Sequence, residues 1–276
     1  MPELGINIEK EKQKAIDELK KKLDEMGTVA QGIFLKAIEE RFDIKAGNIQ
    51  TDRNFVKQLN RLTVDVLELL QTSPKFIGPV SQFVKRMDKV SEAITAFQKR
   101  TNGIKVPSFE VAKKIVVDEI INQMLDNGLN QNFVQPLRDL IYQNATSGLS
   151  LSDAKESIKE FIKGGKDISG KLGSYIEQTA QQAVDSYSGV INKKIMETYN
   201  LDTWLVTGTI IDNSLPQCKY AIETLSGKLT KKDWPKVEAI GKKNKGWKDG
   251  TTFENLSINL LHHGCRHNFY AFKKVA

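Results

Sequence analysis

The two cysteines and three histidines of this 276-residue chain all fall after residue 200. Four of those five side chains crowd into His262-His263-Gly264-Cys265-Arg266-His267, and the fifth is Cys218 upstream. Thiolate and imidazole are the ligands zinc prefers in a tetrahedral site, and small domains use such a site in place of a larger core. The His-x-x-Cys-x-His spacing of His262, Cys265 and His267 offers three ligands from one turn. Cys218, 47 residues before Cys265, can close the site. The candidate metal ligands are therefore Cys218, His262, Cys265 and His267. This is not the spacing of a standard zinc finger, and a buried cysteine pair with surface histidines accounts for the same residues. Either way, Cys218 and Cys265 are expected in one cluster that includes His262 or His267.

Two enzyme chemistries draw on the same residue types. A thiol nucleophile would need Cys218 or Cys265 beside an imidazole and an orienting carboxylate such as Asp212. A catalytic metal would need an open coordination position and a general base. Neither local pattern matches a protease or nuclease signature, so no residue is assigned a catalytic role.

The elements that must position these side chains also change character near residue 200. Before it, the apolar residues recur at spacings of three and four, the period of amphipathic helices. Ile16, Leu19, Leu23 and Met26 form one such stripe. Phe55, Leu59, Leu62, Val66 and Leu69 form a second, with Thr51 or Asp52 as N-cap. Val80, Phe83, Met87, Val90, Ile94 and Phe97 form a third, separated from the second by Pro74, Gly78 and Pro79. Each stripe lasts only two or three heptads, which favours a packed bundle over a coiled coil. Asn102-Gly103 through Pro107 marks a boundary. Ser108 caps a helix bearing Val111, Ile115, Ile120 and Met124 that ends at Gly128, and a further helix runs from about 130 to 144. Ser150 to Asp153 has capping-box spacing and opens a helix that stops at Gly164-Gly165. The span 171–200 reads as the longest helix, with Leu172, Ile176, Ala180, Ala183 and Tyr187 on one face and Gly189 as a candidate kink.

After residue 200 the texture is different, and all three tryptophans lie there. Trp204 to Ile211 is β-branched and aromatic and reads as a strand. Asp212 to Pro216 is turn chemistry, Cys218 to Leu225 a short helix ended by Ser226-Gly227, Gly241 to Gly250 a mobile loop, and Phe269 to Phe272 a closing strand. The expected fold class is mainly α: a multi-helix N-terminal region followed by a small α+β C-terminal domain, with strands only after Leu201. Three segments follow: 1–107, 108–200 leading into the tail, and 201–276 carrying the Cys/His cluster.

Composition narrows the function classes. A hydrophobic content of 39% with 27% charged residues argues against disorder. The polar start lacks the apolar stretch of a secretory signal, and no run approaches the ~18–20 apolar residues of a membrane span. Two cysteines are too few for a disulfide framework, which points to synthesis in a reducing cytosol. From Leu201 onward 12 Lys and Arg stand against 7 Asp and Glu, which places +5 of the net +7 in the tail. A basic tail fits proximity to nucleic acid or an acidic partner, although solubilising lysines give the same excess. Arginine-rich runs interleaved with aromatics are absent, which argues against a base-reading domain.

In order along the tail stand Trp204, Asp212, Pro216-Gln217-Cys218, Leu225-Ser226-Gly227 and His262-His263-Gly264-Cys265-Arg266-His267. This order resembles the C-terminal domain of the phage Mu F-like minor head proteins. That family shows a Trp-bearing strand, an aspartate, a Pro-x-Cys or Pro-x-His step, a Leu-x-Gly turn and a closing His-Pro-x-Cys-Arg-Cys motif. The resemblance covers roughly residues 110–276, with the specific motifs confined to 204–267. His263 stands where the family has proline, and His267 where it has the second cysteine, a change that keeps a metal ligand. The family's Arg-Thr-Glu string before the tryptophan has only Gln178-Thr179 as a remnant.

The resemblance implies a minor structural protein of a tailed-phage head. Such a protein associates with the portal, other head proteins and the head interior, and acts in assembly and genome packaging or delivery. Its location would be the virion head, and the host cytoplasm during assembly. Non-specific contact with packaged DNA, no membrane at assembly, a structural zinc and no catalytic set belong to the same picture. The alternative is a nuclease- or toxin-like enzyme using the Cys/His cluster.

Overall fold

The computed structural model describes residues 2–106, 110–165, 170–244, 246–262, 265 and 267–273. The protein is mainly α, with a few short strands. The helices are α1 (Pro2–Arg41), α2 (Phe55–Thr72), α3 (Pro74–Asn102), α4 (Glu110–Leu125), α5 (Asn127–Leu129), α6 (Gln135–Thr146), α7 (Leu151–Lys163) and α8 (Lys171–Thr198). A hairpin of β1 (Ile44–Lys45) and β2 (Asn48–Ile49) follows α1. The tail adds β3 (Thr203–Thr207), α9 (Pro216–Lys219), β4 (Lys228–Thr230), α10 (Trp234–Lys242), α11 (Leu256–Asn259) and β5 (Asn268–Phe272). Among the described residues no helix is long and apolar enough to cross a membrane.

The chain forms two compact units. One comprises Lys14–Arg86 and Val117–Gln182; the other comprises Met1–Gln13, Met87–Val116 and Ala183–Ala276. Each unit draws together segments that are distant in the chain. Glycine and proline mark where helices end, but the chain leaves one unit for the other inside α1, α3, α4 and α8, where nothing interrupts the helical pattern.

The helical unit, 14–86 with 117–182, is built as the apolar spacing predicts. Ile16, Leu19 and Met26 of α1 are buried, as are Phe55, Leu59, Leu62 and Val66 of α2. The α2 stripe ends on Leu70 rather than Leu69, which is half exposed, because a full turn beyond Val66 returns to residue 70. The N-cap of α2 is Asn54, not Thr51 or Asp52; Asp52 Oδ1 instead accepts from the Asn54 amide (2.8 Å) in the turn before the helix. Ser150 is the N-cap expected for α7: its Oγ accepts from the Asp153 amide at 3.1 Å, and Gly164, at φ +88°, ends the helix. Phe34 meets Phe133 edge to face at 5.9 Å.

Several expectations are corrected. Strands are not confined to the tail: β1 and β2 pair across Ala46 (φ +48°) and Gly47 (φ +78°), the left-handed pair a two-residue hairpin requires. Pro79 does not separate α2 from α3 but sits inside α3, which starts at Pro74 and runs 29 residues. It forfeits one backbone hydrogen bond near the helix start, where few precede it. The longest helix is α1, with 40 residues, not α8, with 28. Helix α4 ends at Leu125, and Val111 and Ile115 are exposed while Val116 and Ile120 are buried. Ser108 lies outside the described residues.

The second unit holds the antiparallel sheet β4-β3-β5. Trp204 on the central strand pairs with Leu229 on one side and Ala271 on the other. An edge strand leaves backbone polar groups unpaired, and β5 has them satisfied by amide side chains. Gln98 Nε2 and Asn102 Nδ2 each donate to the Ala271 carbonyl at 3.0 Å. The Ala271 amide donates to Asn192 Oδ1 at 3.1 Å, and the Lys273 amide to Asn102 Oδ1 at 2.8 Å. That explains three buried amides on helices otherwise striped with apolar residues. Lys12 is also buried, its Nζ meeting Asn268 Oδ1 (2.7 Å), Asp185 Oδ1 (2.9 Å) and Glu9 Oε1 (3.3 Å). Gly189 makes a close contact: an added Cβ would lie 2.2 Å from the Ser257 carbonyl, and Ser257 Oγ donates to the Gly189 carbonyl at 2.8 Å.

Candidate metal centre

The cluster forms where β3 and β5 end their shared ladder, at Thr207 opposite Asn268. Three short segments reach this point. Cys218 lies on α9, which Pro216 starts and which continues as a π-helical turn, Tyr220–Thr224. Ser226 (φ +51°) and Gly227 (φ +73°) then return the chain to the sheet, where the Val206 amide donates to the Gly227 carbonyl at 2.7 Å. A Cβ on Gly227 would stand 2.7 Å from the Val206 carbonyl, so the close approach needs glycine. His262 follows Leu260, whose positive φ (+61°) turns the chain after α11, and pairs with Trp247 through an isolated antiparallel bridge. The Cys265 amide donates to the His262 carbonyl at 3.2 Å. His267 precedes β5 and packs on Gly208 (φ +134°), where a Cβ would come within 2.6 Å of its ring.

Behind the cluster is a small aromatic core. Trp204 is fully buried and donates from Nε1 to the Phe253 carbonyl at 2.8 Å. Trp234 packs on Trp247 (6.1 Å) and Phe253 (6.5 Å). The stretch 241–250 that reads as a mobile loop is thereby anchored. Gly241 is the last but one residue of α10, and a Cβ there would lie 2.1 Å from the Trp247 ring.

Cys218, His262 and Cys265 each offer a ligand atom, and these atoms lie within 4.8 Å of one another. His267 Nδ1 lies 3.5 Å from Cys265 Sγ. In a zinc tetrahedron with Zn–S ~2.3 Å and Zn–N ~2.0 Å, the sulfur-to-nitrogen edge is about 3.5 Å and the sulfur-to-sulfur edge about 3.8 Å. The group is thus close enough to hold a metal ion. Cys218 is wholly buried and His267 nearly so, while His262 and Cys265 are half-buried. His263, Gly264 and Arg266 lie outside the described residues.

The two sulfurs shift in opposite directions. The pKa of Cys265 is lowered first by the hydrogen bond from Cys218 and then by those from His262 and His267, against the opposing effect of burial. Cys218 is pushed up by that same bond and by its own burial. Asp212, the orienting carboxylate of the nucleophile reading, lies in an exposed turn, its backbone carbonyl accepting from Lys219 Nζ at 3.0 Å.

Sequence reasoning missed Gly208 and Gln217. Gly208 seats His267, and only the Gly-Thr step after the strand hinted at it. Gln217 is fully buried beside Cys218, and neither end of its amide has a partner among the described residues. No protein-family model, no curated protein and no solved structure matches this chain.

Proposed function

We propose that this chain is a minor structural protein of a tailed-phage head, associated with the portal and the head interior, whose tail is clipped by a structural zinc. Zinc would take Cys218, His262, Cys265 and His267 as ligands. The observation that carries the reading is the proximity of Cys218 to His262 and Cys265, within 4.8 Å, across 47 residues of chain. Those residues come from the Pro-x-Cys step and the closing motif, the two ends of the Mu F-like resemblance. A shared metal there ties the start of the tail to its end, as a region with one small aromatic core requires. The donor set supports zinc over magnesium or calcium, which prefer oxygen ligands.

A helical unit with amphipathic faces suits contact with portal and other head proteins. The basic excess of the tail suits salt-sensitive, sequence-independent contact with packaged DNA. The enzyme reading draws on one observation, the thiolate-favouring surroundings of Cys265, but a zinc site needs the same surroundings.

The test is co-purification with portal protein or procapsids, with zinc measured in the purified chain. Cys218→Ser and Cys265→Ser are expected to impair particle assembly or infectivity. Cleavage of nucleic acid or modification of protein, lost cleanly in a still-folded Cys265→Ser variant, would overturn the structural reading in favour of the enzyme.

A further inference from the structure

The outward side of α2 carries two parallel rows of side chains. Val56, Asn60 and Val64 form one; Arg53, just before the helix, with Lys57 and Arg61 forms the other. Spacing by four makes each row continuous, with steps of about 6 Å along the helix axis. Val56 is 49% exposed and Val64 65%, while Phe55, Leu59, Leu62 and Val66 already supply the helix's inward face. The two valines therefore contribute nothing to the core of this unit. The rows border a shallow, open depression of 610 Å³, and Asn60 at its centre is held by Arg138, whose Nε and Nη2 donate to Asn60 Oδ1 at 3.1 and 2.9 Å.

The charge on this face is unbalanced. Among the described residues no carboxylate pairs with Arg53, Lys57 or Arg61, and Asp65, the acid in the depression, is taken by Arg41. The first turn of α2 contains no acidic residue, and the nearest acid, Asp52, spends Oδ1 on the Asn54 amide, so Arg53 and Lys57 add positive charge at the positive end of the helix dipole. A partner bringing carboxylates to this end would relieve that repulsion.

We propose that this face of α2 docks an acidic amphipathic helix of another protein. An apolar side chain of the partner fills the gap over Asn60, between Val56 and Val64. Carboxylates one row away meet Arg53, Lys57 and Arg61. Helix-on-helix packing matches rows of equal pitch, and the charge pairs fix register and orientation. Nucleic acid would use the cations but offers nothing to the valines, since backbone recognition needs charge and hydrogen bonds. The inference rests on α2 and its neighbours alone and stands whether or not the tail binds zinc.

The experiment uses the full chain and three fluorescent probes: a synthetic four-turn helix with leucines flanked by glutamates, the same helix flanked by lysines, and a short DNA duplex. Fluorescence anisotropy is expected to show saturable binding of the acidic helix and binding of the lysine helix about tenfold weaker or less. Val64→Asn and Lys57→Glu are each expected to weaken the acidic helix about tenfold. Both positions are exposed, and far-UV circular dichroism checks that the variants fold as the parent does. No saturable binding of the acidic helix below millimolar concentration overturns the proposal, as does equal binding to the parent and Val64→Asn. Duplex binding lost in Lys57→Glu and kept in Val64→Asn assigns the face to nucleic acid instead and also overturns it.

Discussion

If zinc clips the tail, the stability of the tail must depend on free zinc in a way set by mass action. The ligand atoms of Cys218, His262 and Cys265 already lie within 4.8 Å of one another, so a contraction of about 1 Å brings them to the edges of a zinc tetrahedron. Little of the binding free energy is then spent on reorganisation. Above the dissociation constant, each tenfold rise in free zinc adds about 1.4 kcal/mol to the folded state. For a domain of about 150 residues that raises the unfolding midpoint by about 3–6 °C per decade. Tryptophan fluorescence is the natural assay, because Trp204, Trp234 and Trp247 are the only tryptophans and all belong to the unit that carries the cluster. The scan is run in chelator-buffered zinc. Cys218→Ser removes a fully buried sulfur ligand, since a hydroxyl is a poor substitute for thiolate, and is expected to flatten the dependence. A midpoint that stays fixed across three decades of free zinc, or an equal slope in Cys218→Ser, would refute the clip.

Three further outcomes follow from the packing. Gly189→Ala would normally gain ~1 kcal/mol in a helix. Here the Ser257 carbonyl, 2.2 Å from the added Cβ, makes it cost about 1–3 kcal/mol instead, whereas Gly173→Ala on the same helix, with its nearest neighbour at 3.9 Å, is expected to be neutral or stabilising in chemical denaturation. Lys12→Met is expected to cost about 1.5–3 kcal/mol, read by the same denaturation, because it removes the hydrogen bonds to Asp185 and Asn268; Asp185, 40% exposed, can rehydrate. Glu18 has its pKa lowered, first by the Arg86 hydrogen bond, so its contribution is present above the ordinary glutamate pKa of about 4.3 and is lost as pH falls through the folded value. The pair is partly exposed and worth no more than about 1 kcal/mol; a carboxyl NMR titration of Arg86→Ala should move Glu18 upward, and an unchanged titration would discount the pair.

How far the fold was legible depends on whether the cause of each element is local. The Ser150–Asp153 cap, the Gly164 stop and the buried face of α8 are written in neighbouring residues and read correctly. Pro79 misled because a proline's cost depends on how many hydrogen bonds precede it, not on its presence. The hairpin at Ile44–Ile49 was passed over because Ala46-Gly47 is a weak turn signal and each strand has only two residues. Val111 and Ile115 fit a helical stripe, but which side of α4 faces the core is set by its neighbours, and that side carries Val116 and Ile120.

The sequence by itself determined the helical character of the first 200 residues and the concentration of metal-ligating and aromatic residues in the tail. Periodicity and residue chemistry are local properties and need no partner. Only the tertiary structure decided that Cys218 meets His262 and Cys265, that glycines 208, 227 and 241 hold contacts too close for a Cβ, and that Gln98, Asn102 and Asn192 cover the edge of β5. Each of these joins residues distant in the chain. Their cause is the approach of two segments, which no window of neighbouring residues contains.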